Sequence, residues 1–335
     1  MRGHRVFFFE VEPWEERYFR DHLSGIEPTF VLDRLTPHNV HLAEEAEYIA
    51  CFVYSDLKAH TLEHLPNLKG VATMSVGTNH IDLKAARERE IIVSNVPAYG
   101  PNTVAEHAIA LLLSLSRQII PSVERTREGN FDYRGLTGWD LLGKTIGIIG
   151  TGKIGAHVAR IANGLGLRVV AHDPKPNHEL ETKFGVEYLS LPQLYHVSDI
   201  ITLHCPLMGT NEHLIGREQF KQMKRGVVLI NTARGGLIET RALLEALEDG
   251  IVSQAGIDVL EDEDLLHEEK EFFSPFFQLK DYQTAMADHA LMRHPSVIVT
   301  PHNAFNSRES LKNILETTVK NLEGMMNSDP VNVVH

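Results

Sequence analysis

Short runs of β-branched and aromatic residues alternate along the chain with segments in which apolar residues recur every three or four positions. In the first hundred residues the strand-like runs are RVFFFE, YIACFVY, GVATMS and IIVSNV, and residues 82–90 have a helical pattern. Strands that alternate with helices are typical of a parallel sheet with crossover helices. A longer helix is predicted next, with Asn102 or Thr103 as its cap and VAEHAIALLLSL as its body.

A second, more regular alternation begins at Lys144. Its strand-like runs are KTIGIIG, LRVVAHD, DIITLHC, GVVLIN, SQAGIDV and SVIVTP, and one further helix is predicted over residues 307–325. This block has the size of a doubly wound α/β domain. Residues 261–293 are acidic and aromatic, and they are predicted to be the least regular segment.

The order of these blocks predicts two domains in 335 residues. The doubly wound block lies inside the sequence, and a single helix after it cannot form a domain. We therefore predict two doubly wound parallel-sheet domains, with a Rossmann domain at 100–302 inserted into a flavodoxin-like domain formed by 1–99 plus 303–335.

Charge and composition narrow the class of partner. The formal net charge of −13 repels polyanions, so neither nucleic acid nor an anionic membrane is expected to bind. No stretch reaches the roughly 18 apolar residues of a membrane span, and the first residues lack a signal-peptide pattern. Two cysteines, Cys51 and Cys205, favour a reducing cytoplasm over a disulfide framework.

A glycine motif stands between a predicted strand and a predicted helix. Gly150 would permit the tight turn, Gly152 the approach of a pyrophosphate, and Gly155 close packing of helix on strand. Asp173 ends the next strand, where a carboxylate binds the ribose hydroxyls and repels a 2′-phosphate. The motif predicts NAD, although Asp173 alone could be a turn cap, and His172 and Lys175 nearby leave NADP open.

Three further predicted strands end in groups that suit hydride transfer to a ketone. Arg234 lies on a glycine-bounded loop and can bind a carboxylate through two parallel hydrogen bonds. Asp258 could orient nicotinamide or ribose. His302 would protonate a developing alkoxide, and Glu263 would hold its tautomer.

Each of these residues also has a simpler interpretation. An arginine such as Arg234 can lie on a solvated loop, and a run of acids is usually a solvated face. His302 lacks partners at metal-ligand spacing, so no metal is expected.

Taken together, the motifs GTGKIG, HCPL, NTARGGLIE, GIDVLEDE and TPHNAF resemble those of the D-isomer-specific 2-hydroxyacid dehydrogenases, and especially of their lactate-type members. SVGTNHIDL and NVPAYGPNTVAEHAIALLL extend the resemblance to nearly the whole chain. It implies that Arg234, Glu263 and His302 are catalytic. It also implies that Val76, Gly77 and Tyr99 bind the substrate together with Arg234. The cofactor contacts that it implies are Lys153, Ile154, Asp173, Cys205, Pro206, Asn211, Thr232, Ala233 and Asp258.

The resemblance implies an NAD-dependent reduction of pyruvate or a similar 2-keto acid to the D-hydroxy acid, by a homodimer whose interface includes part of residues 102–120. Related activities on 2-hydroxyisocaproate, glycerate or phosphite stay open. An NADH-sensing, corepressor-like binding protein is the alternative from another class, because such members keep the same three catalytic residues. Four phenylalanines between Glu263 and His302, at positions 272, 273, 276 and 277, could shape the substrate pocket, cap the cleft or pack as core.

Overall fold

The computed structural model describes residues 3–261 and 279–334. The chain divides into two compact units. The first consists of Met1–Gly100 and Asn306–His335, and the second of Pro101–Phe305.

The first unit is built on a five-stranded parallel sheet. Its strands are β1 (His4–Phe9), β2 (Ile26–Val31), β3 (Tyr48–Cys51), β4 (Gly70–Thr73) and β5 (Ile92–Ser94). They are arranged β2-β1-β3-β4-β5, which is the flavodoxin-like order. Its helices are α1 (Pro13–His22), α2 (Ala59–Glu63), α3 (Leu83–Glu88) and α12 (Arg308–Met326), and Val40–Ala43 form a 3₁₀ turn.

The second unit is built on a seven-stranded parallel sheet. Its strands are β6 (Thr145–Ile149), β7 (Arg168–His172), β8 (Glu187–Tyr188), β9 (Ile200–Leu203), β10 (Val227–Asn231), β11 (Val252–Ile257) and β12 (Val297–Val299). The order is β12-β11-β10-β9-β6-β7-β8. The strand order reverses between β9 and β6, and ligands of doubly wound sheets bind outside the carboxyl ends of strands at such a point.

Helices cover both faces of this larger sheet. They are α4 (Pro101–Ser116), α5 (Ile119–Arg127), α6 (Lys153–Gly164), α7 (His178–Phe184), α8 (Leu191–Val197), α9 (Arg217–Phe220), α10 (Thr240–Glu248) and α11 (Leu279–Met292), with a 3₁₀ turn at Gly235–Leu237. One apolar core packs α4, α6 and α7 against the sheet, and a second packs α8, α9, α10 and α11. Burial on both faces explains why strands such as TIGII read as continuous apolar runs.

The structure confirms the predicted fold class of two parallel-sheet α/β domains. Sequence patterns missed β2 and β8, which are edge strands. β2 contains Pro28, whose missing N–H is tolerated at an edge, and β8 is two residues long. The predicted cap of α4 is also wrong, because Pro101 is already the first helical residue and both Asn102 and Thr103 lie inside the helix.

The prediction of irregular structure over residues 261–293 is wrong for α11. Thr284, Asp288 and Leu291 are buried there at helical spacing. Because Thr284 and Asp288 are polar, a search for apolar residues at helical spacing does not detect this buried face. Among the described residues, no helix combines the length and the apolar character needed to cross a membrane.

Candidate active site

The glycine turn between β6 and α6 has the backbone geometry that a dinucleotide requires. Gly150 has a φ of 95°, and a Cβ atom there would lie 2.7 Å from the backbone nitrogen of Cys205. A Cβ at Gly155 would overlap the carbonyl oxygen of Gly150. Gly152 is the N-cap of α6, and a Cβ there would meet nothing within 4 Å. Two glycines are therefore required by the protein itself, whereas Gly152 leaves open space at the helix N-terminus.

The first residues of α6 and the end of β7 complete this half of the edge. Lys153 and Ile154 form the first turn of α6, where backbone N–H groups have no partner within the helix. Asp173 follows β7, and its Oδ2 accepts hydrogen bonds from the backbone N–H of Thr151 at 2.7 Å and from its hydroxyl at 3.2 Å. The carboxylate that sequence reasoning assigned to ribose is thus joined directly to the glycine turn.

The loop after β9 packs against the same turn. The N–H of His204 donates to the carbonyl of Ile149 at 2.8 Å. Burial lowers the pKa of His204 to about 3 and raises the pKa of the Cys205 thiol to about 11, so both side chains are neutral near pH 7. Asn211 organises the loop, since its side chain accepts from the N–H of Met208 and donates to the carbonyl of Pro206.

The loop after β10 carries Thr232, Ala233 and Arg234. The side chain of Asn231 holds it, by accepting from the N–H of Ala233 at 3.0 Å and donating to the carbonyl of Arg234 at 3.0 Å. The guanidinium of Arg234 donates to the carbonyl of Ala233 at 2.6 Å through Nη1. A guanidinium has five N–H donors, so most remain for a ligand.

A buried carboxylate organises the loop that carries His302. The side chain of Asp258, at the end of β11, is inaccessible to solvent. Its Oδ1 accepts from the Thr300 hydroxyl at 2.5 Å and from the N–H of Asn303 at 3.1 Å. Its Oδ2 accepts from the N–H of Ala304 at 2.9 Å. His302 lies between these anchors with a φ of 49°, a left-handed conformation that such anchors stabilise.

A second histidine, which sequence reasoning did not single out, contacts the same carboxylate. His107 on α4 has its Nε2 3.1 Å from the Thr300 hydroxyl oxygen and 3.4 Å from Asp258 Oδ1. Because the single Thr300 hydroxyl proton is donated to Asp258, His107 Nε2 carries a proton and is the donor. Nothing in the sequence pattern connects residues so far apart along the chain.

A further unpredicted contact, between a carboxylate and an imidazole, lies at the start of the acidic segment. Glu261 Oε1 is 2.6 Å from His213 Nε2, and Glu261 Oε2 accepts from the N–H of Thr240 at 2.9 Å. Glu261 belongs to an acidic run of a kind that is usually solvated, but its side chain is 15% exposed and caps the first turn of α10. Glu263, the predicted partner of His302, lies outside the described residues, as do the four phenylalanines.

In the first unit, Val76 and Gly77 lie just beyond the carboxyl end of β4. The carbonyl of Val76 accepts from the side chain of Asn95 at 2.8 Å, and that of Gly77 accepts from the Ser75 hydroxyl at 2.7 Å. Within the described part of the chain, neither backbone amide has a hydrogen-bond partner. Two held carbonyls and two open amides suit the binding of an anion.

Tyr99 and an unpredicted acid lie at the same edge of the first sheet. Tyr99 follows β5, and its carbonyl accepts from the side chain of Asn313 at 2.8 Å. Glu10 follows β1 and accepts from the Ser55 hydroxyl at 2.5 Å and from the N–H of Tyr54 at 3.0 Å. Burial raises the pKa of Glu10, although these hydrogen bonds oppose the shift.

The larger sheet has polar atoms that fit a bound dinucleotide. Thr232 Oγ1 and Asn303 Oδ1 are buried and have no hydrogen-bond partner among the described residues. Buried polar atoms are rarely left without a partner, so a ligand at this edge would satisfy them. Within the described ranges, no group of three or more His, Cys, Asp or Glu side chains could hold a metal ion. The fold and the site define a dinucleotide-binding α/β protein.

Comparison with known proteins identifies the family. The model of the D-isomer-specific 2-hydroxyacid dehydrogenase NAD-binding domain matches residues 109–304. D-lactate dehydrogenase of Escherichia coli (strain K12) is 39% identical over 326 residues, 96% of each chain. The aromatic 2-oxoacid reductase of Clostridium sporogenes (strain ATCC 15579) is 37% identical over 328 residues, 95% of each chain. D-lactate dehydrogenase from Aquifex aeolicus, in a structure with NAD and lactic acid, has a TM-score of 0.85 at 34% identity, over 97% of this chain and 96% of that one.

The chain belongs to the D-isomer-specific 2-hydroxyacid dehydrogenase family. It is an NAD-dependent oxidoreductase that acts on the CH–OH group of D-2-hydroxy acids. The family and the NAD cofactor that the sequence predicted are thereby confirmed.

Proposed function

We propose that this enzyme is a D-lactate dehydrogenase, which reduces pyruvate or a similar small 2-keto acid with NADH. The observation that carries the proposal is the shared edge of β10, β11 and β12. There a guanidinium, a buried anchoring carboxylate and an imidazole follow three neighbouring strands. The relatives named D-lactate dehydrogenase support the choice of substrate.

Arg234 binds the substrate carboxylate and polarises the keto oxygen in this proposal. One of its N–H groups donates to the carbonyl of Ala233. The remaining donors suit two parallel hydrogen bonds to a carboxylate. A local cation is needed because a formal net charge of −13 repels a small organic acid.

His302 donates the proton that the keto oxygen takes up as it becomes a hydroxyl. Glu263 holds the imidazole in the correct tautomer. NADH supplies the hydride that reduces the carbonyl carbon. Asp258 keeps the backbone of residues 300–304 fixed, so that His302 need not reorganise during the reaction.

Further contacts are proposed from each unit. The backbone amides of Val76 and Gly77 bind the substrate carboxylate, and Tyr99 contacts the substrate. Residues 1–99 plus 303–335 form the substrate domain and residues 100–302 the NAD domain. The NAD contacts are Gly150, Gly152, Lys153, Ile154, Gly155, Asp173, Cys205, Pro206, Asn211, Thr232, Ala233 and Asp258.

The test is NADH oxidation at the absorbance of reduced nicotinamide, with 2-keto acids from glyoxylate and pyruvate to 2-ketoisocaproate and phenylpyruvate. His302→Ala is expected to lower kcat by ~10²- to 10⁴-fold, since a general acid is lost. Arg234→Ala is expected to raise KM as well as lower kcat. His38→Ala, at an exposed position, is the matched control and keeps wild-type turnover.

Each outcome of this panel is informative. A maximum at pyruvate supports the proposal, whereas a maximum at phenylpyruvate would assign the chain to the chemistry of the aromatic 2-oxoacid reductase. Tight NADH binding without turnover on any acid would contradict both. Phosphite oxidation or NADH sensing would then be the next activities to assay.

The enzyme is proposed to act as a homodimer in the cytoplasm. All residues of α5 are described and none of them is buried. Its apolar residues Ile119, Ile120 and Val123 are 40–46% exposed. Phe131 and Tyr133, further along, are more than 80% exposed. Large exposed apolar patches mark interaction sites, and in this proposal a second copy of the chain covers this one. The free thiols of both cysteines fit a reducing compartment.

Light scattering after size exclusion tests the dimer. Val123→Glu combined with Phe131→Glu is expected to convert a dimer of wild-type mass into a monomer. Leu32→Glu, at a 65% exposed position of the first unit, is the control and stays dimeric. A monomeric wild type would contradict the proposal.

A further inference from the structure

A five-residue loop connects the ribose-binding carboxylate to the next helix. It runs Asp173-Pro174-Lys175-Pro176-Asn177, and Asn177 is the N-cap of α7, where its side chain accepts from the N–H of Glu179. Two prolines restrict its backbone. Its conformation decides where the carboxylate of Asp173 and the ammonium of Lys175 stand relative to a bound ribose.

Tyr188, on the short strand β8, connects the far end of this loop to the glycine turn. Its hydroxyl oxygen accepts from the N–H of Asn177 at 2.9 Å, and its O–H donates to the hydroxyl oxygen of Thr151 at 2.9 Å. An alternative acceptor, the carbonyl of Asn177, is more distant at 3.3 Å. In the sheet Tyr188 pairs with Ala171 of β7, which lies two residues before Asp173, and this pairing sets the position of the tyrosine.

The hydrogen bonds have one consistent direction. The Tyr188 hydroxyl donates its single proton to Thr151, so the Thr151 hydroxyl donates its own proton to Asp173 Oδ2, 3.2 Å away. The chain therefore runs from the N–H of Asn177 through Tyr188 and Thr151 to Asp173. Hydrogen bonds in such a series polarise and strengthen one another.

These contacts leave the carboxylate little freedom. Oδ2 accepts two donors from Thr151, and Oδ1 accepts the N–H of Lys175 at 2.8 Å. A carboxylate has about four acceptor sites, so the remaining capacity points in a defined direction. Without Tyr188, the loop between Asp173 and Asn177 loses the side chain that joins its far end to the glycine turn.

We propose that Tyr188 is a specificity-determining positioning residue. Through Thr151, its hydroxyl holds Asp173 in the orientation that accepts the ribose hydroxyls of NAD and excludes the 2′-phosphate of NADP. This inference rests on the role proposed above for Asp173. When the loop is loosened, the carboxylate turns away and Lys175 comes within reach of a 2′-phosphate.

The experiment compares the affinity of the purified full chain for NADH and NADPH, measured by fluorescence of the bound reduced nicotinamide without substrate. Tyr188→Phe is expected to weaken NADH binding about 3- to 10-fold, the effect of one lost hydrogen bond. The ratio of NADPH to NADH affinity is expected to rise by a similar factor. Thr151→Val is expected to do the same, and Thr151→Ser to retain wild-type selectivity because it keeps the hydroxyl.

Two further variants make the result decisive. Tyr48→Phe removes a tyrosine hydroxyl from the first unit and is expected to change neither affinity. In the double variant Tyr188→Phe with Thr151→Val, the effects should not add, because both break one chain of hydrogen bonds. Additive effects would contradict the proposal that Tyr188 and Thr151 act through one chain of hydrogen bonds.

The variant Asp173→Ala distinguishes the role proposed for Asp173 from the role proposed for Tyr188. If it changes the selectivity while Tyr188→Phe and Thr151→Val leave both affinities within twofold of wild type, the positioning role of Tyr188 is wrong and that of Asp173 stands. If Asp173→Ala is silent as well, both assignments fail.

Discussion

The carboxyl edge of the seven-stranded sheet has two halves that are built in different ways. At β6 and β7, backbone shape positions the site, because Gly150 and Gly155 bring strand, turn and helix closer than any side chain would allow. At β10, β11 and β12, side chains position it, because Asn231 and Asp258 hold the loops that carry Arg234 and His302. The first half suits a large ligand of fixed shape, and the second suits a small substrate that must meet particular groups.

The difference also determines how each half can fail. A backbone-built site tolerates no added atom at the contact, since a neighbouring main chain cannot move aside. A side-chain-built site keeps its fold when one anchor is weakened, but the groups that it carries lose their alignment. Substitutions in the two halves should therefore separate stability, cofactor affinity and turnover.

The largest effect is expected at the glycine turn. Gly155→Ala places a Cβ against the carbonyl oxygen of Gly150, so the free energy of unfolding should fall by about 3 kcal/mol, at the upper end of overpacking. Gly152→Ala is the matched control. Its Cβ would enter open space, so stability should stay within about 1 kcal/mol of wild type.

Urea unfolding and NADH binding check this pair. Gly152→Ala should weaken NADH binding while the protein stays folded, because the added methyl group occupies the approach of the pyrophosphate. Equal stability of the two variants would show that backbone contact does not build this half.

The second largest effect is expected at the anchor of the His302 loop. Asp258→Asn keeps the shape of the side chain, but both carboxylate oxygens accept backbone N–H groups, so either orientation of the amide sets a donor against a donor. A loss of about 1–3 kcal/mol is expected, either as lower kcat or as lower stability. Affinity for NADH should change less than about threefold if Asp258 acts on the loop.

Steady-state kinetics beside NADH titration distinguish the two roles of Asp258. A fall in NADH affinity as large as the fall in kcat would assign the carboxylate to direct cofactor contact, as the family resemblance implies. Asp140→Asn, which changes an acid away from these strand ends, is the control for the loss of one negative charge.

The contrast between the halves also explains what the sequence could reveal. The roles of Gly150 and Gly155 follow from six consecutive residues between a strand and a helix, so the motif predicted their geometry. The anchoring role of Asp258 depends on bonds to residues more than 40 positions later, and the contact of His107 with Thr300 spans 193 positions. No local pattern encodes such contacts, although Arg234, Asp258 and His302 do follow strands of one parallel sheet, as the sequence predicted.

Other residues were missed for equally specific reasons. The contacts of Glu261 were not predicted, because its partner His213 is distant in sequence. Tyr188 lies on an edge strand too short to be predicted. The predicted roles of Val76, Gly77 and Tyr99 came from resemblance, and the geometry of β4 and β5 adds a physical basis for the first two alone.

A pH-dependent loss of stability is expected at His204, directly after β9, the strand that separates the two halves. Burial lowers the pKa of His204 to about 3, so below pH 6.5 the unfolded chain binds a proton that the folded chain does not. Stability is therefore fully present above pH 6.5 and falls as the pH falls toward 3, by about 1–2 kcal/mol between pH 7 and pH 5. His80 adds to this slope, since burial lowers its pKa to about 4.

Urea unfolding at pH 7 and pH 5 measures the slope. His204→Gln keeps an acceptor or donor for the Thr202 hydroxyl, which lies 2.8 Å from His204 Nε2, and it should lose less stability on acidification than wild type. His38→Gln, at an exposed position, should keep the wild-type slope. A His204→Gln slope equal to that of wild type would mean that His204 takes up its proton in the folded state.

The smallest effect is expected at Thr232, where the two halves should share the cofactor. Its hydroxyl is buried without a hydrogen-bond partner among the described residues, so Thr232→Val removes a desolvated polar atom that the protein does not satisfy. The free energy of unfolding without cofactor should stay the same or rise by up to about 1 kcal/mol. NADH affinity should fall about 3- to 10-fold, because the hydroxyl gains its partner when the dinucleotide binds.

Thr61 is the matched control, since it too has a buried hydroxyl without a described partner but lies in the other unit. Thr61→Val should leave NADH affinity unchanged, and an equal loss in both variants would trace the effect to general packing.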